Sequence, residues 1–215
     1  MATPNSPENA YGQDAAGTAG SESQKDLKKL ITDNGAVLQG HFRLASGRHS
    51  DVYIEKFRIL ERPPVLEAVS GAIVQHFRGT NPDLIVGPST GGILVAYEAA
   101  RQLGVPAVYV EAQDGKRVLK RGGRIQPHSR VLLVDDVLTT GVSLQETKAV
   151  IEAAGANLVG VGVLIDRSGR KIDFGCEFFA ATRFEAVSYA EDEVPDWLSQ
   201  IPLTTPGTRA NTLSV

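Results

Sequence analysis

From residue 25 to about residue 202 the chain alternates two hydrophobic patterns. Short apolar runs rich in β-branched residues, at 84–86, 107–110, 131–134, 158–165 and 177–180, read as buried strands. Between them, apolar residues recur every three or four positions, the spacing that gives a helix one apolar face. Helices are predicted at 92–103 and 143–154, stopped by Gly104 and Gly155, and another begins after Pro63-Pro64 and runs through Leu66, Val69, Ile73 and Phe77. Ahead of these, a helix at 25–32 leads through Asn34-Gly35 into strands at 37–44 and 52–57. Ser46-Gly47-Arg48 turns the chain between those strands, so a small antiparallel appendage is expected. Alternating strands and helices with fully apolar strands predict an α/β fold around a mostly parallel, doubly wound sheet.

The ends break the pattern. Residues 1–24 carry hardly any bulky apolar side chains and cannot offset the entropy of ordering, so they read as a disordered tail. Trp197, Leu198 and Ile201 offer a short docked helix before a Thr/Pro/Gly-rich end, 203–215, expected to fray. The expectation is one domain over 25–202, with the appendage at about 25–62 and the core at about 63–190.

Chemistry concentrates in Val131-Leu-Leu-Val-Asp-Asp-Val-Leu-Thr-Thr-Gly-Val-Ser143. The apolar run is expected to end at Asp135 and Asp136, at the carboxyl edge of a central strand, where open α/β sheets bind ligands. Two carboxylates there can accept hydrogen bonds from vicinal sugar hydroxyls. Thr139, Thr140, Gly141 and Ser143 then supply hydroxyls and a flexible backbone position at the start of a helix, whose first amides attract an anion. Gly87-Pro-Ser-Thr-Gly-Gly-Ile93 repeats the device after the first core strand, with Ser89, Thr90 and Gly91 able to cradle a second phosphate group. No G-x-x-x-x-G-K-[ST] phosphate loop occurs.

The segment 131–143 resembles the phosphoribosyl diphosphate (PRPP) signature of the type I phosphoribosyltransferases. That resemblance implies that Asp135 and Asp136 take the ribose hydroxyls and act in catalysis, while Val137 to Ser143 surround the 5′-phosphate and Ser89, Thr90 and Gly91 hold the diphosphate. Most of the chain is similar to orotate phosphoribosyltransferases. Phe42-Arg-Leu-Ala-Ser-Gly-Arg-His-Ser-Asp-Val-Tyr53 looks like the family's N-terminal segment that closes over the base, and Leu164-Ile-Asp-Arg167 looks like its Asp-Arg pair. The resemblance implies an N-terminal hood over the sheet, and orotate contacts from Ser46, Tyr53, Thr139 and Arg167. It also implies Mg²⁺ held mainly by substrate and water, a homodimer, and formation of orotidine 5′-monophosphate in pyrimidine (UMP) biosynthesis. A guanidinium suits a planar acid because it donates paired hydrogen bonds, although Arg167 could equally form a surface ion pair with Asp166 or Asp173.

The chain departs from the family pattern after the second core strand. In place of a loop of R-K-x-x-K-x-H-G type it has Glu111-Ala-Gln-Asp-Gly-Lys-Arg-Val-Leu-Lys-Arg-Gly-Gly123, and it has Gly91 and Ala45 where many members carry lysine. Lys116 and Arg117 either replace the missing charges near the diphosphate or decorate a solvated basic hairpin. The four histidines show no metal-ligand spacing, and His49 alone lies in a segment expected near a ligand.

Composition narrows the alternatives. A net charge of −3 gives no electrostatic case for nucleic acid or an anionic membrane surface. A single cysteine, Cys176, permits no internal disulfide and suits a reducing cytoplasm, and no apolar run has membrane-spanning length. Two other readings stay open: a phosphoribosyltransferase for another base, and a PRPP-sensing regulator without catalysis.

Overall fold

The computed structural model describes residues 15–184 and 187–206, so residues 1–14 and 207–215 of the two expected tails lie outside the described residues. The chain forms α1 (Ala15–Asp33), β1 (Val37–Arg43), β2 (His49–Ile54), α2 (Phe57–Leu60), α3 (Pro63–Phe77), β3 (Leu84–Pro88), α4 (Gly91–Leu103), β4 (Ala107–Gln113), β5 (Lys116–Leu119), β6 (Arg130–Leu138), α5 (Val142–Ala153), β7 (Asn157–Asp166), β8 (Phe178–Arg183), β9 (Ser188–Tyr189), α6 (Asp196–Ser199) and β10 (Leu203–Thr204).

The main sheet has the order β5-β4-β3-β6-β7-β8. All its pairings are parallel except β4 with β5. From β3 the chain steps outward to β4 and β5, then returns to the opposite side of β3 as β6. The crevice beyond the carboxyl ends of β3 and β6 is therefore the topological switch point, where such sheets bind ligands. Both candidate phosphate turns sit there.

Period-two alternation in β6 sorts its side chains between two cores. Leu132 and Val134 join the cluster with Ile73 and Phe77 of α3 and Val95 and Ala99 of α4. Val131 and Leu133 join Leu144 and Ile151 of α5 on the other face. In α3, Pro63 and Pro64 occupy the first turn, where no amide partner is lost, and the stripe Val65, Leu66, Val69, Ile73 and Phe77 is buried. Gly104 ends α4 with φ of 72° and donates its amide to the Ala100 carbonyl, the left-handed cap that glycine adopts without strain.

Three features differ from the sequence expectation, and a fourth is one of its two alternatives. First, β6 does not end at Asp135 but continues to Leu138, pairing Asp135 with Val163 and Leu138 with Asp166 of β7, so both acids belong to the strand. Second, α1 starts at Ala15, within the stretch expected to be a disordered tail; Ala15, Ala16 and Ala19 favour helix without needing burial. Third, the hood is not built from the N-terminal region alone. Its sheet has the order β10-β1-β2-β9, so Leu203 and Thr204, expected to fray, pair with β1, and Ser188 and Tyr189 pair with β2. Fourth, the stretch after β4 is a hairpin. Asp114 and Gly115, both with positive φ, make its two-residue turn between Gln113 and Lys116.

His49 also departs from expectation, because its buried ring faces the hood's interior. His41 Nδ1 lies 3.2 Å from the Ile201 carbonyl and His41 Nε2 lies 2.7 Å from His49 Nδ1, a chain that ties the C-terminal segment to β1 and β2. The carbonyl only accepts, so Nδ1 of neutral His41 donates to it, and His49 Nδ1 donates to His41 in turn.

Candidate active site

Asp135 and Asp136 stand at the centre of the switch-point crevice, 8% and 5% exposed. Strand alternation turns them to opposite faces. Asp135 Oδ1 accepts the Asp136 amide at 2.8 Å, and Asp136 Oδ1 accepts the Val137 amide at 2.6 Å. Asp136 Oδ2 lies 2.7 Å from Lys56 Nζ, a hood cation that follows β2. Burial first, and then the neighbouring Asp136, push the Asp135 carboxyl up to about 8; the Asp136 amide, Lys56 and Arg117 pull the other way. In the ligand-free protein Asp135 therefore keeps a proton near neutral pH and can both donate and accept toward a diol.

The loop after β3 packs directly against this pair. A Cβ on Gly91 would lie 1.6 Å from Asp136 Oδ2, and one on Gly92 would lie 2.9 Å from Asp135 Oδ1. Only glycine at both positions lets the start of α4 come this close to the acids. The α4 amides then open beside two carboxylates, ready for an anion that brings its own counter-charge. Ser89 spends its amide on the Val110 carbonyl, while Thr90 is exposed at the loop's rim.

The second turn lies at the start of α5. Thr139 and Thr140 are exposed, and Gly141 precedes the helix with φ of 86°, a left-handed conformation that glycine adopts freely. Val137 and Leu138 stay within β6, and Leu138 is core, so in the expected phosphate set these two side chains support the turn from below. Val142 is exposed on the first turn of α5. Ser143 is engaged from the hairpin: Arg117 Nη2 donates to its Oγ at 2.9 Å, and Arg117 Nε donates to Glu146 at 3.1 Å. Of the two loop cations expected near the diphosphate, Arg117 is held at the phosphate turn with its side chain 14% exposed, and Lys116 is exposed.

Arg170, absent from the sequence candidates, donates to the Thr140 carbonyl at 3.2 Å. It also lines a cleft of about 800 Å³ beside the turn, with Leu138, Asp166, Ile172, Phe174 and Arg183.

Arg167 follows β7 and donates its amide to the Leu138 carbonyl at 2.8 Å. Its Nε is buried without a hydrogen-bond partner, and burial pulls its pKa down. An unpaired buried guanidinium nitrogen is costly, so an acceptor from a ligand would relieve it. The Arg183 partner of Asp166 at 3.5 Å removes the simplest ion-pair role for Arg167. Across from it stands Tyr53, whose hydroxyl pKa is raised by burial and by Glu55, while Lys56 and Arg167 act in the opposite direction. Tyr53 and Arg167 thus lie within electrostatic reach of each other. Ser46 belongs to the exposed turn at the other end of the β1–β2 hairpin. The four steps of β2 from His49 to Tyr53 span about 13 Å.

Like Arg170, Lys56 is a residue of the crevice that sequence reading missed. It sits three positions after Tyr53, but a lone lysine in a hood strand gives no motif, and only its packing against β6 reveals it.

The family model for the phosphoribosyl transferase domain matches residues 57–174. The orotate phosphoribosyltransferase of Chlorobium phaeobacteroides is 39% identical over 189 residues, covering 88% of this chain and 98% of its own. That of Caldanaerobacter subterraneus is 41% identical over 173 residues, covering 80% of this chain and 91% of its own. The crystal structure of orotate phosphoribosyltransferase from Aeropyrum pernix superposes with a TM-score of 0.64 at 29% identity, over 74% of this chain and 94% of the other.

Proposed function

The chain belongs to the orotate phosphoribosyltransferases, and from that premise we propose how its site moves the 5-phosphoribosyl group of PRPP onto orotate, giving orotidine 5′-monophosphate and diphosphate. The observation that carries the reading is the pairing, across one crevice, of two buried acids on β6 with the half-buried Arg167, whose Nε is buried without a hydrogen-bond partner. The first suits a ribose and the second a planar acid. The α5 turn, closed by Arg117, receives the 5′-phosphate, and the loop after β3 receives the diphosphate. Orotate enters between Tyr53 and Arg167, its carboxylate or ring oxygens accepting from the guanidinium.

A ring nitrogen of orotate then forms the bond to C1 of the ribose as the bond to diphosphate breaks; the diphosphate takes the electron pair, and the proton lost from that nitrogen passes to the departing diphosphate. Positive charge builds on the sugar ring, and the adjoining Asp136 carboxylate stabilises it, with Asp135 oriented toward the ribose hydroxyls. Asp135 and Asp136 also fit Mg²⁺, since they offer hard oxygen donors beside two phosphate turns. A bound ion would supply positive charge to offset the negative charge of the leaving diphosphate.

The reading further includes a place in pyrimidine (UMP) biosynthesis, a cytoplasmic location and a homodimer. Leu94 and Tyr97, exposed one turn apart on α4, support a face for a second copy. Among the described residues no helix is long and apolar enough to cross a membrane.

The test offers orotate, uracil, hypoxanthine and adenine separately with PRPP and Mg²⁺ and follows depletion of each. Orotate should be consumed, and Arg167→Gln should raise the orotate KM at least tenfold while leaving the PRPP KM nearly unchanged. Faster consumption of another base would overturn the base assignment, and consumption of none would overturn catalysis.

A further inference from the structure

We propose that Lys56 is the cation that meets the diphosphate of the donor, delivered by the hood instead of by the loop that surrounds the diphosphate. The inference rests on the PRPP reading of the site. A diphosphate carries several negative charges, yet Gly87-Pro-Ser-Thr-Gly-Gly-Ile93 offers amides and hydroxyls and no cation. Two other cations of the crevice are engaged elsewhere, and a third stands on the side proposed for the base. Arg117 is fixed by Ser143 and Glu146, Arg170 by the Thr140 carbonyl, and Arg167 stands beside Tyr53.

Lys56 is placed where the charge is wanted. Its Nζ lies 2.7 Å from Asp136 Oδ2, the same oxygen that a Cβ on Gly91 would approach to 1.6 Å. The ammonium and the backbone of the diphosphate loop thus adjoin one carboxylate oxygen. Leu60 secures the arrangement, since its Cδ1 lies 3.1 Å from that same Cβ position and seats α2 on the loop directly after Lys56. The side chain of Lys56 is 37% exposed against 6% for Asp136, so the lysine reaches inward from the rim and retains freedom to turn. In the ligand-free protein it neutralises Asp136. When PRPP offers hydroxyls to Asp136 and a diphosphate beside Gly91, the ammonium swings between the two acceptors without leaving the crevice. Gly91 and Lys56 then act through one group, because the missing side chain on the loop leaves room for the Asp136 carboxylate that the hood lysine contacts.

The test compares Lys56→Ala, Lys56→Met and Lys56→Arg in the full chain. Product inhibition by inorganic diphosphate, the KM values for PRPP and orotate, and thermal stabilisation by ribose 5-phosphate, which lacks the diphosphate, are measured. Lys56→Ala and Lys56→Met should weaken diphosphate inhibition and raise the PRPP KM roughly 10- to 100-fold, the loss of one charge-assisted contact. The orotate KM and the ribose 5-phosphate response should stay within about twofold, and Lys56→Arg should recover most of the loss. Lower thermal stability with unchanged diphosphate inhibition would overturn the proposal and leave Lys56 as a neutraliser of Asp136; Lys56→Met keeps the packing of the stem and serves if Lys56→Ala does not fold. A wild-type protein that binds neither PRPP nor diphosphate would overturn the PRPP reading itself, and this inference with it.

Discussion

Gly91→Ala tests the geometry on which the whole site rests. The new methyl would lie 1.6 Å from Asp136 Oδ2, 2.7 Å from Asp136 Cγ and 3.1 Å from Leu60 Cδ1. Ordinary contact needs roughly 3.5 Å, so roughly 2 Å must be recovered by retreat of the α4 start or by rotation of Asp136 away from Lys56. Overpacking of this kind costs about 1–3 kcal/mol, and loosening an ion pair to a buried carboxylate adds to it. A loss of about 2–4 kcal/mol is expected, which for a chain of this size lowers the melting temperature by about 5–15 °C. The PRPP KM should rise as well, because the displaced carboxylate is the one proposed to meet the ribose hydroxyls. Gly79→Ala is the control: a Cβ there meets nothing within 4 Å and the backbone is not left-handed, so its effect should stay within about 1 kcal/mol. Thermal melts with and without PRPP, beside steady-state kinetics, read both quantities. A Gly91→Ala protein that melts within about 2 °C of the wild type and keeps its PRPP KM would refute the packing of the diphosphate loop on Asp136.

Two further outcomes follow from the electrostatics. Asp135 titrates at about 8 in the folded protein against an ordinary 3.8, so the folded state binds more protons between those values, and stability falls as pH rises through that window. The melting temperature of the ligand-free protein should decline from about pH 5 to pH 8 more steeply than that of Asp135→Asn; equal slopes would show that the carboxyl is already ionised at pH 5. Arg117→Ala should raise the PRPP KM roughly 10-fold or more without changing the orotate KM, whereas Lys116→Ala should be nearly silent; equal effects of the two would return Arg117 to the role of an ordinary surface charge.

The legible part of this site is the part contiguous in the chain. Asp135 to Ser143 and Gly87 to Ile93 announce themselves because a strand end, a glycine and the first turn of a helix must follow one another within a few residues to make an anion cradle. What the sequence hid depends on contacts between distant segments. Residues 116–119 were read as a loop or a solvated hairpin, although Asp114-Gly115 carries the signal for a two-residue turn. Nothing local indicated that Arg117 would be half-enclosed against α5. Strands of two residues, β9 and β10, are too short to show alternation, so the C-terminal contribution to the hood had no periodic trace. Asp135 and Asp136 were expected just past the strand, because two acids interrupt an apolar run. The strand continues because the acids' backbone remains in the ladder, burial favours the neutral form of Asp135, and Lys56 pairs with Asp136.

The hood matters to the chemistry through the position of β2. Tyr53 lies within that strand and Lys56 just beyond it, the first facing Arg167 and the second facing Asp136. One rigid hairpin therefore carries both the wall of the base pocket and the cation beside the diphosphate loop. Its seating is set by distant segments: β9 pairs with β2, β10 pairs with β1, and the His49–His41–Ile201 chain pins the C-terminal segment between them. A displacement of β2 by even an ångström would separate Lys56 from Asp136 and Tyr53 from Arg167 together. β2 thus carries Tyr53 and leads into Lys56, and residues 188–204 complete the sheet that holds it.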